Sequence, residues 1–258
     1  MLSFILLIAF TVVWYALLVF IAWAAGGIVA AIIVALLIPI VLIFCVAMGR
    51  AAELGDRLQM KFKKGLIIMY TILLLNQKGG VGKTTIADEL AFAFERRGMT
   101  VAFVSTDPQG GNVHEVCDDP DYAESYDFQI VDTAGVLKNG MDDWCRAADM
   151  ILVPMLPSTR DVEPTMRTLE IAAASKTQAK TFIILNCFYA FGRLDRDLVE
   201  YLGGEDIPVM AKIPRAVALA QAAAEGKSVA EYAPRSHAVP AFELLADDIL
   251  AEKEKHND

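Results

Sequence analysis

Asn76-Gln77-Lys78-Gly79-Gly80-Val81-Gly82-Lys83-Thr84-Thr85 stands between a short β-favouring apolar run, Tyr70 to Leu75, and a helix-forming stretch, Ile86 to Arg97. A strand, a glycine loop and a helix in that order predict backbone N–H groups converging on phosphate oxygens at a helix N-terminus. Gly79, Gly80 and Gly82 give the loop the freedom to do so, Lys83 is placed to reach β- and γ-phosphates, and the Thr84 hydroxyl to ligate Mg2+. The general phosphate-loop pattern GxxxxGK[ST] asks for glycine where Gln77 stands, so the ordinary motif fails by one position. Lys78 adds a second cation at the loop entrance, too far back to share the role of Lys83 and suited to a neighbouring subunit.

The eight residues Lys78 to Thr85 resemble the deviant Walker A loop of the ParA/MinD family of ATPases. That resemblance implies an α/β P-loop NTPase with a mostly parallel sheet flanked by helices, with ATP and Mg2+ as cofactors. It also implies a homodimer that closes on ATP binding, in which Lys78 reaches the partner's phosphates. Val81 and Thr85 belong to the same nucleotide-binding loop. A second strand, Thr100 to Ser105, ends in Thr106-Asp107-Pro108-Gln109-Gly110-Gly111-Asn112. Asp107 matches the family aspartate that helps to position Mg2+ and the attacking water, while Ser105 replaces the aspartate that usually precedes it. Without the resemblance, Asp107-Pro108 reads as an ordinary turn.

Phe128 to Val131 forms a third strand opening onto Asp132-Thr133-Ala134-Gly135, which resembles Walker B and the second switch. Asp132 would hold Mg2+ through water, and the Gly135 N–H would sense the γ-phosphate. Thr84, Asp107 and Asp132 are thus the expected metal set, and Lys78, Lys83, Asp107 and Asp132 the expected catalytic set. Met150 to Met155 and Thr181 to Leu185 read as further strands with a helix from Val162 to Lys176 between them, an alternation that implies a parallel sheet. Asn186 matches the family asparagine that contacts adenine, and Ile213-Pro214-Arg215 resembles the later loop along the base, with Pro214 against the nucleotide. The resemblance covers Tyr70 to Leu250. The interval from Asp107 to Asp132 is shorter than in fuller partition ATPases.

Outside this unit the composition changes abruptly. The chain has 258 residues, 55% hydrophobic, and a mean hydropathy of +0.44. Residues 1–49 carry no charged side chain and contain two apolar stretches, Leu2 to Ala24 and Ile28 to Met48, separated at Gly26-Gly27. Each is long enough to cross a bilayer as a helix, which takes about 20 residues. So short a turn predicts an antiparallel transmembrane hairpin. Arg50, Arg57, Lys61, Lys63 and Lys64 against Glu53 and Asp56 make residues 50–69 a basic juxtamembrane linker of net +3. Positive flanks stay cytoplasmic, so both termini are expected there, with the ATPase domain 70–258 on the cytoplasmic side of a bacterial inner membrane. Without a charged n-region, and with too long an apolar run, the segment does not read as a signal peptide. A start at Met69 would instead leave a cytoplasmic ATPase.

The whole chain carries −9, so removing the +3 of the linker leaves −12 for residues 70–258. An acidic unit is a poor general polyanion binder. Arg160, Arg167, Lys176, Lys180, Arg193 and Arg196 are a candidate non-specific DNA face, with solvated helix charges as the plainer reading. Cys45, Cys117, Cys145 and Cys187 have no CxxC spacing and read as buried reduced thiols, and His114, His237 and His256 as solvated or satisfied histidines. The segment Pro240 to Lys255 has an apolar face but is too acidic for a membrane-targeting helix.

The expected function is a membrane-anchored ParA-like ATPase, an ATP-dependent dimerisation switch for partition or positioning of plasmid or conjugative-element DNA or of a membrane complex. A ParB-like or other protein activator would be its partner. One alternative is a polysaccharide-export-type tyrosine autokinase, which would carry a large domain between the spans and a tyrosine-rich tail; no tyrosine follows Tyr232. Another is a nucleotide-binding membrane tether with little turnover.

Overall fold

The computed structural model describes residues 69–106, 111–117, 126–135 and 141–257, together with Ala24 and Gly27. The chain divides between Leu66 and Ile67 into two units, and the unit Ile67–Asp258 is described by itself. Among the described residues no helix is long and apolar enough to cross a membrane. The hairpin expected over 1–49 and the linker over 50–69 lie outside them apart from Ala24, Gly27 and Met69.

Among the described residues six strands form one sheet: β1 (Tyr70–Leu74), β2 (Val101–Ser105), β3 (Phe128–Asp132), β4 (Met150–Met155), β5 (Lys180–Phe188) and β6 (Val209–Pro214). Their spatial order is β2-β3-β1-β4-β5-β6, every pairing parallel. β1 is buried at all five positions, as a central parallel strand covered on both faces must be. Side chains alternate across it: Ile72 and Leu74 enter one core, Leu73 and Leu75 the other.

The first core is covered by α1 (Lys83–Arg96) and by the C-terminal helices α5 (Val217–Ala224), α6 (Val229–Tyr232) and α7 (Ala238–Asn257). The second is covered by α2 (Met141–Ala147), α3 (Thr159–Ala174) and α4 (Arg193–Gly204). Phe94 of α1 stacks on Phe128 of β3 with centroids 4.1 Å apart. The face of α7 formed by Phe242, Leu245 and Ile249 is fully buried in the first core, so its apolar stripe is core packing.

β1 is the point where the winding reverses. The chain leaves it towards β2 and returns through β3, then continues on the other side through β4, β5 and β6. Such a reversal opens a crevice at the C-terminal ends of the strands, where open α/β sheets bind their ligands. The sequence reading located β1 to β5 and misplaced some ends. β5 runs to Phe188 rather than stopping at Leu185, because it gains a partner the reading lacked: Val209–Pro214 is a sixth strand, and Ile213 and Pro214 end it instead of forming a loop.

The segment after β2 is clamped. Asp88 of α1 accepts the backbone N–H groups of Val113 and His114, each at 3.0 Å, and Cys117 N–H donates to Phe103 O at 2.7 Å. At its far end the Asp127 carboxylate accepts Thr100 N–H and Oγ1 at 2.8 and 2.9 Å.

Glu89, one position on, is 4% exposed and accepts the Val229 N–H at 2.7 Å through Oε1, while Oε2 has no hydrogen-bond partner. Burial pushes its carboxyl up to about 7, against the opposing pull of the Val229 N–H and the Arg96 charge. Between the usual 4.5 and about 7, the folded chain keeps a proton that the unfolded chain has released. Stability therefore falls as pH rises through this window. Glu89→Gln keeps the acceptor for Val229 and removes the ionisation. Its unfolding free energy should match wild type near pH 4.5 and exceed it at pH 8 by on the order of 2 kcal/mol, as read by denaturant titration at both pH values. A pH-independent difference between the two proteins would contradict the assignment.

Candidate nucleotide-binding site

The loop between β1 and α1 is shaped by two left-handed glycines, Gly80 at φ 77° and Gly82 at φ 93°. Gly82 is the N-cap of α1, and no side chain caps that helix. The first helical N–H groups and the positive end of the 14-residue helix dipole are thereby presented at the loop, the arrangement that favours an anion. Lys83, the first helical residue, is 7% exposed, and its Nζ donates to the Lys78 carbonyl at 3.4 Å, which lays its ammonium against the backbone at the start of the loop.

The entrance to the loop is held by a buried polar cluster. Asn76 is 1% exposed; its Nδ2 donates to Pro154 O at 2.8 Å and Thr165 Oγ1 at 3.1 Å, and its Oδ1 accepts the Lys78 N–H at 2.8 Å. Thr168 Oγ1 accepts the Gln77 N–H at 3.2 Å. These bonds fasten the loop to β4 and α3. Buried amides satisfied in this way fix a conformation, since an unpaired one would cost about 1–3 kcal/mol.

Thr84 Oγ1 donates to Asp132 Oδ2 at 2.7 Å. Asp132, 1% exposed, ends β3 on the face of Phe128 and Ile130, the side covered by α1, and that parity delivers its carboxylate to Thr84. A hydroxyl and a carboxylate are hard oxygen donors of the kind Mg2+ takes from protein while keeping waters and phosphate oxygens, so the pair fits that ion. Among the described residues no group of three His, Cys, Asp or Glu side chains could hold a metal by itself. Asp107 lies outside the described residues. Its neighbour Thr106 donates N–H to Asp132 O at 2.9 Å, and Thr106 Oγ1 accepts the Ala134 N–H at 3.1 Å, joining the ends of β2 and β3. Gly135 lies against the loop: a Cβ there would stand 3.5 Å from Gln77 O and from Gly79.

The structure thus brings Lys78 to Thr85, Asp132, Gly135 and Asn186 together. Asn186 follows the core of β5, and its Nδ2 donates to Val81 O at 2.9 Å. Pro214 ends β6, paired with Phe188. Asn76, Thr106, Thr165 and Thr168 escaped the sequence reading. For Asn76 and Thr106 the available signal is a polar residue at the exit of a buried strand, where an unpaired side chain would be costly.

The cysteine reading changes, and the histidine reading holds for His114 and His237. Cys145 is buried, but Cys117 is half-buried and Cys187 exposed, because Cys187 sits at the end of β5 where the backbone turns through φ 54°. Cys45 lies outside the described residues. His114 packs against Phe103 and bonds Glu95 at 2.9 Å, and His237 bonds Arg215 O at 3.1 Å, so both are satisfied; the His256 side chain lies outside the described residues. Of the six basic residues, Arg167 pairs with Glu163, Lys180 with Glu252 and Arg193 with Asp197.

Residues 72–229 match the sequence model of the CobQ/CobB/MinD/ParA nucleotide binding domain. The chain is 30% identical over 198 residues to maintenance of carboxysome distribution protein A of Halothiobacillus neapolitanus, covering 64% of this chain and 89% of the relative. It is 29% identical over 237 residues to the chromosome-partitioning ATPase Soj of Thermus thermophilus, covering 70% and 95%. Among solved structures, the septum site-determining protein MinD of Pyrococcus horikoshii, complexed with Mg-ADP, shares the fold with a TM-score of 0.57 at 19% identity, over 71% of this chain and 98% of that one.

The two left-handed glycines should respond differently to alanine. A Cβ at Gly80 meets nothing within 4 Å, whereas one at Gly82 would lie 2.1 Å from Asn186 Nδ2. Gly80→Ala should cost the backbone strain alone, about 1 kcal/mol, and Gly82→Ala roughly 1–3 kcal/mol more, both read by urea unfolding. Equal losses would show that Asn186 does not occupy that space.

Proposed function

Because the chain belongs to the CobQ/CobB/MinD/ParA nucleotide-binding family, we propose that it is a Mg2+-dependent ATPase whose ATP-bound homodimer partitions or positions a cargo. The observation carrying this reading is a single loop that offers an uncapped helix N-terminus at Gly82 and holds Thr84 Oγ1 2.7 Å from Asp132 Oδ2. The uncapped N–H groups and the Lys83 ammonium stabilise negative charge on the phosphates, where it grows in the transition state. Thr84 and Asp132 would hold the metal, which when bound would supply Lewis-acid neutralisation of phosphate charge. Asp107 orients the attacking water. Lys78, at the mouth of the loop, serves the partner's phosphates, so the site is completed by dimerisation.

The relatives named for chromosome partitioning and carboxysome distribution support partition or positioning as the task, and the Mg-ADP complex of the MinD relative supports the nucleotide and metal. The uncharged residues 1–49 and the basic linker 50–69 support anchorage at the bacterial inner membrane, with the ATPase unit in the cytoplasm. A ParB-like or other protein activator suits an acidic unit better than non-specific DNA, since three of the six candidate basic residues are already paired with carboxylates.

Lys83→Ala should lower ATP turnover by at least a hundredfold, and Lys78→Ala should keep ATP binding but lose the ATP-dependent dimer in sedimentation experiments. Undiminished turnover in the first variant would overturn the reading of the site. For anchorage, the C-terminally tagged full chain expressed from its own upstream region should resist alkaline carbonate extraction and begin at Met1. A carbonate-soluble product beginning at Met69 would remove the membrane from the proposal.

A further inference from the structure

We infer that Asn186 is a positioning residue for the phosphate loop, fixing the Val81–Gly82 peptide from the end of β5, in addition to any contact with the base. The inference rests on the reading that this loop binds phosphate. Both ends of the Asn186 amide are engaged within the protein: Nδ2 donates to Val81 O at 2.9 Å, and Oδ1 accepts the Cys187 N–H at 2.9 Å. The second bond settles the first. A backbone N–H can only donate, so the atom facing Cys187 is the oxygen and the atom facing Val81 is the nitrogen.

The contact is also steric. Asn186 is 8% exposed, and its Nδ2 lies 2.1 Å from where a Gly82 Cβ would stand. The amide fills the space that the missing side chain of Gly82 leaves. Val81 C=O and Gly82 N–H belong to one planar trans peptide and point in opposite directions. Holding the oxygen on the Asn186 side therefore aims the N–H of Gly82, the residue that caps α1, to the other side. Asn186 is 105 positions from Val81 in sequence, so the bond ties the loop directly to β5.

A residue that only reads adenine would affect ATP and leave a ligand without a base untouched. A residue that sets the loop affects both. The test is binding of Mg-ATP and of Mg-tripolyphosphate to the detergent-solubilised full chain, measured by calorimetry for wild type, Asn186→Ala and Asn186→Asp. The aspartate variant keeps the size of the side chain and the acceptor for Cys187 N–H but cannot donate to Val81 O; its added charge also repels phosphate, so the neutral, near-isosteric Asn186→Leu is measured beside it and carries the test if the alanine variant does not fold. Each variant should lose roughly tenfold in affinity for tripolyphosphate and at least as much for ATP, any extra loss for ATP measuring contact with the base; tenfold is the scale expected for one lost hydrogen bond to a positioned peptide. A merely structural residue would lower the melting temperature without moving the tripolyphosphate affinity of the folded protein. Unchanged tripolyphosphate binding, whether or not ATP binding falls, would overturn the inference. A wild-type chain that binds neither ligand would instead overturn the proposed function.

Discussion

Parallel registry between β1 and its two neighbours is the constraint on which the site depends. Leu74 pairs with Asp132 on one side and with Leu152 on the other, and Asp132 pairs in turn with Ser105. The central strands therefore finish flush, and the loops that follow β1, β2 and β3 leave from the same edge. A one-residue slip would turn the Asp132 carboxylate to the opposite face of the sheet and bring Val131 towards Thr84. Continuous burial of β1 resists that slip, because two apolar cores would have to be dismantled together.

The phosphate loop itself is rich in glycine and would be loose in isolation. Its definition comes from outside: Asn76 and Thr168 at the entrance, Gly135 alongside, and Asn186 at Val81 and Gly82. Helix α1 is secured at the other end by ion pairs of Arg96 and Arg97 with Glu243 and Asp247 of α7, at 2.6 and 2.7 Å. Such half-exposed pairs add little stability in water, of order 1 kcal/mol or less each. Their contribution is orientation, holding the helix that caps the loop against the C-terminal helix.

Much of this was legible in the sequence, because two devices advertise themselves locally. A buried strand followed by glycines and Lys83-Thr84 fixes the phosphate loop, and an apolar run ending in Asp132 fixes the second loop. The parity of Asp132 relative to Ile130 even specifies its face. Less visible were contacts between distant segments. Nothing near Thr165 or Thr168 says that they meet Asn76, about 90 positions earlier, since helix propensity carries no information about which loop a helix will brace. The sixth strand was missed because Val209 to Pro214 contains Lys212 and a terminal proline, and edge strands tolerate both. Spacing alone reads Cys187 as buried and cannot register a backbone that turns through φ 54° at that position.

The clamp that Asp88 places on Val113 and His114, with the Cys117 bond to Phe103 and the Asp127 bonds to Thr100, has an evolutionary reading. Both flanks of the connection between β2 and β3 are tied to the sheet or to α1 before the chain departs and after it returns. The length of the stretch between Cys117 and Tyr126 is thus separated from the ends of β2 and β3: lengthening a loop costs only the slow logarithmic growth of closure entropy. A lineage could trim or extend this connection while Thr106, Asp132 and Ala134 stay in place. The stretch between Cys117 and Tyr126 is then where size can drift without disturbing Thr84, Thr106 and Asp132.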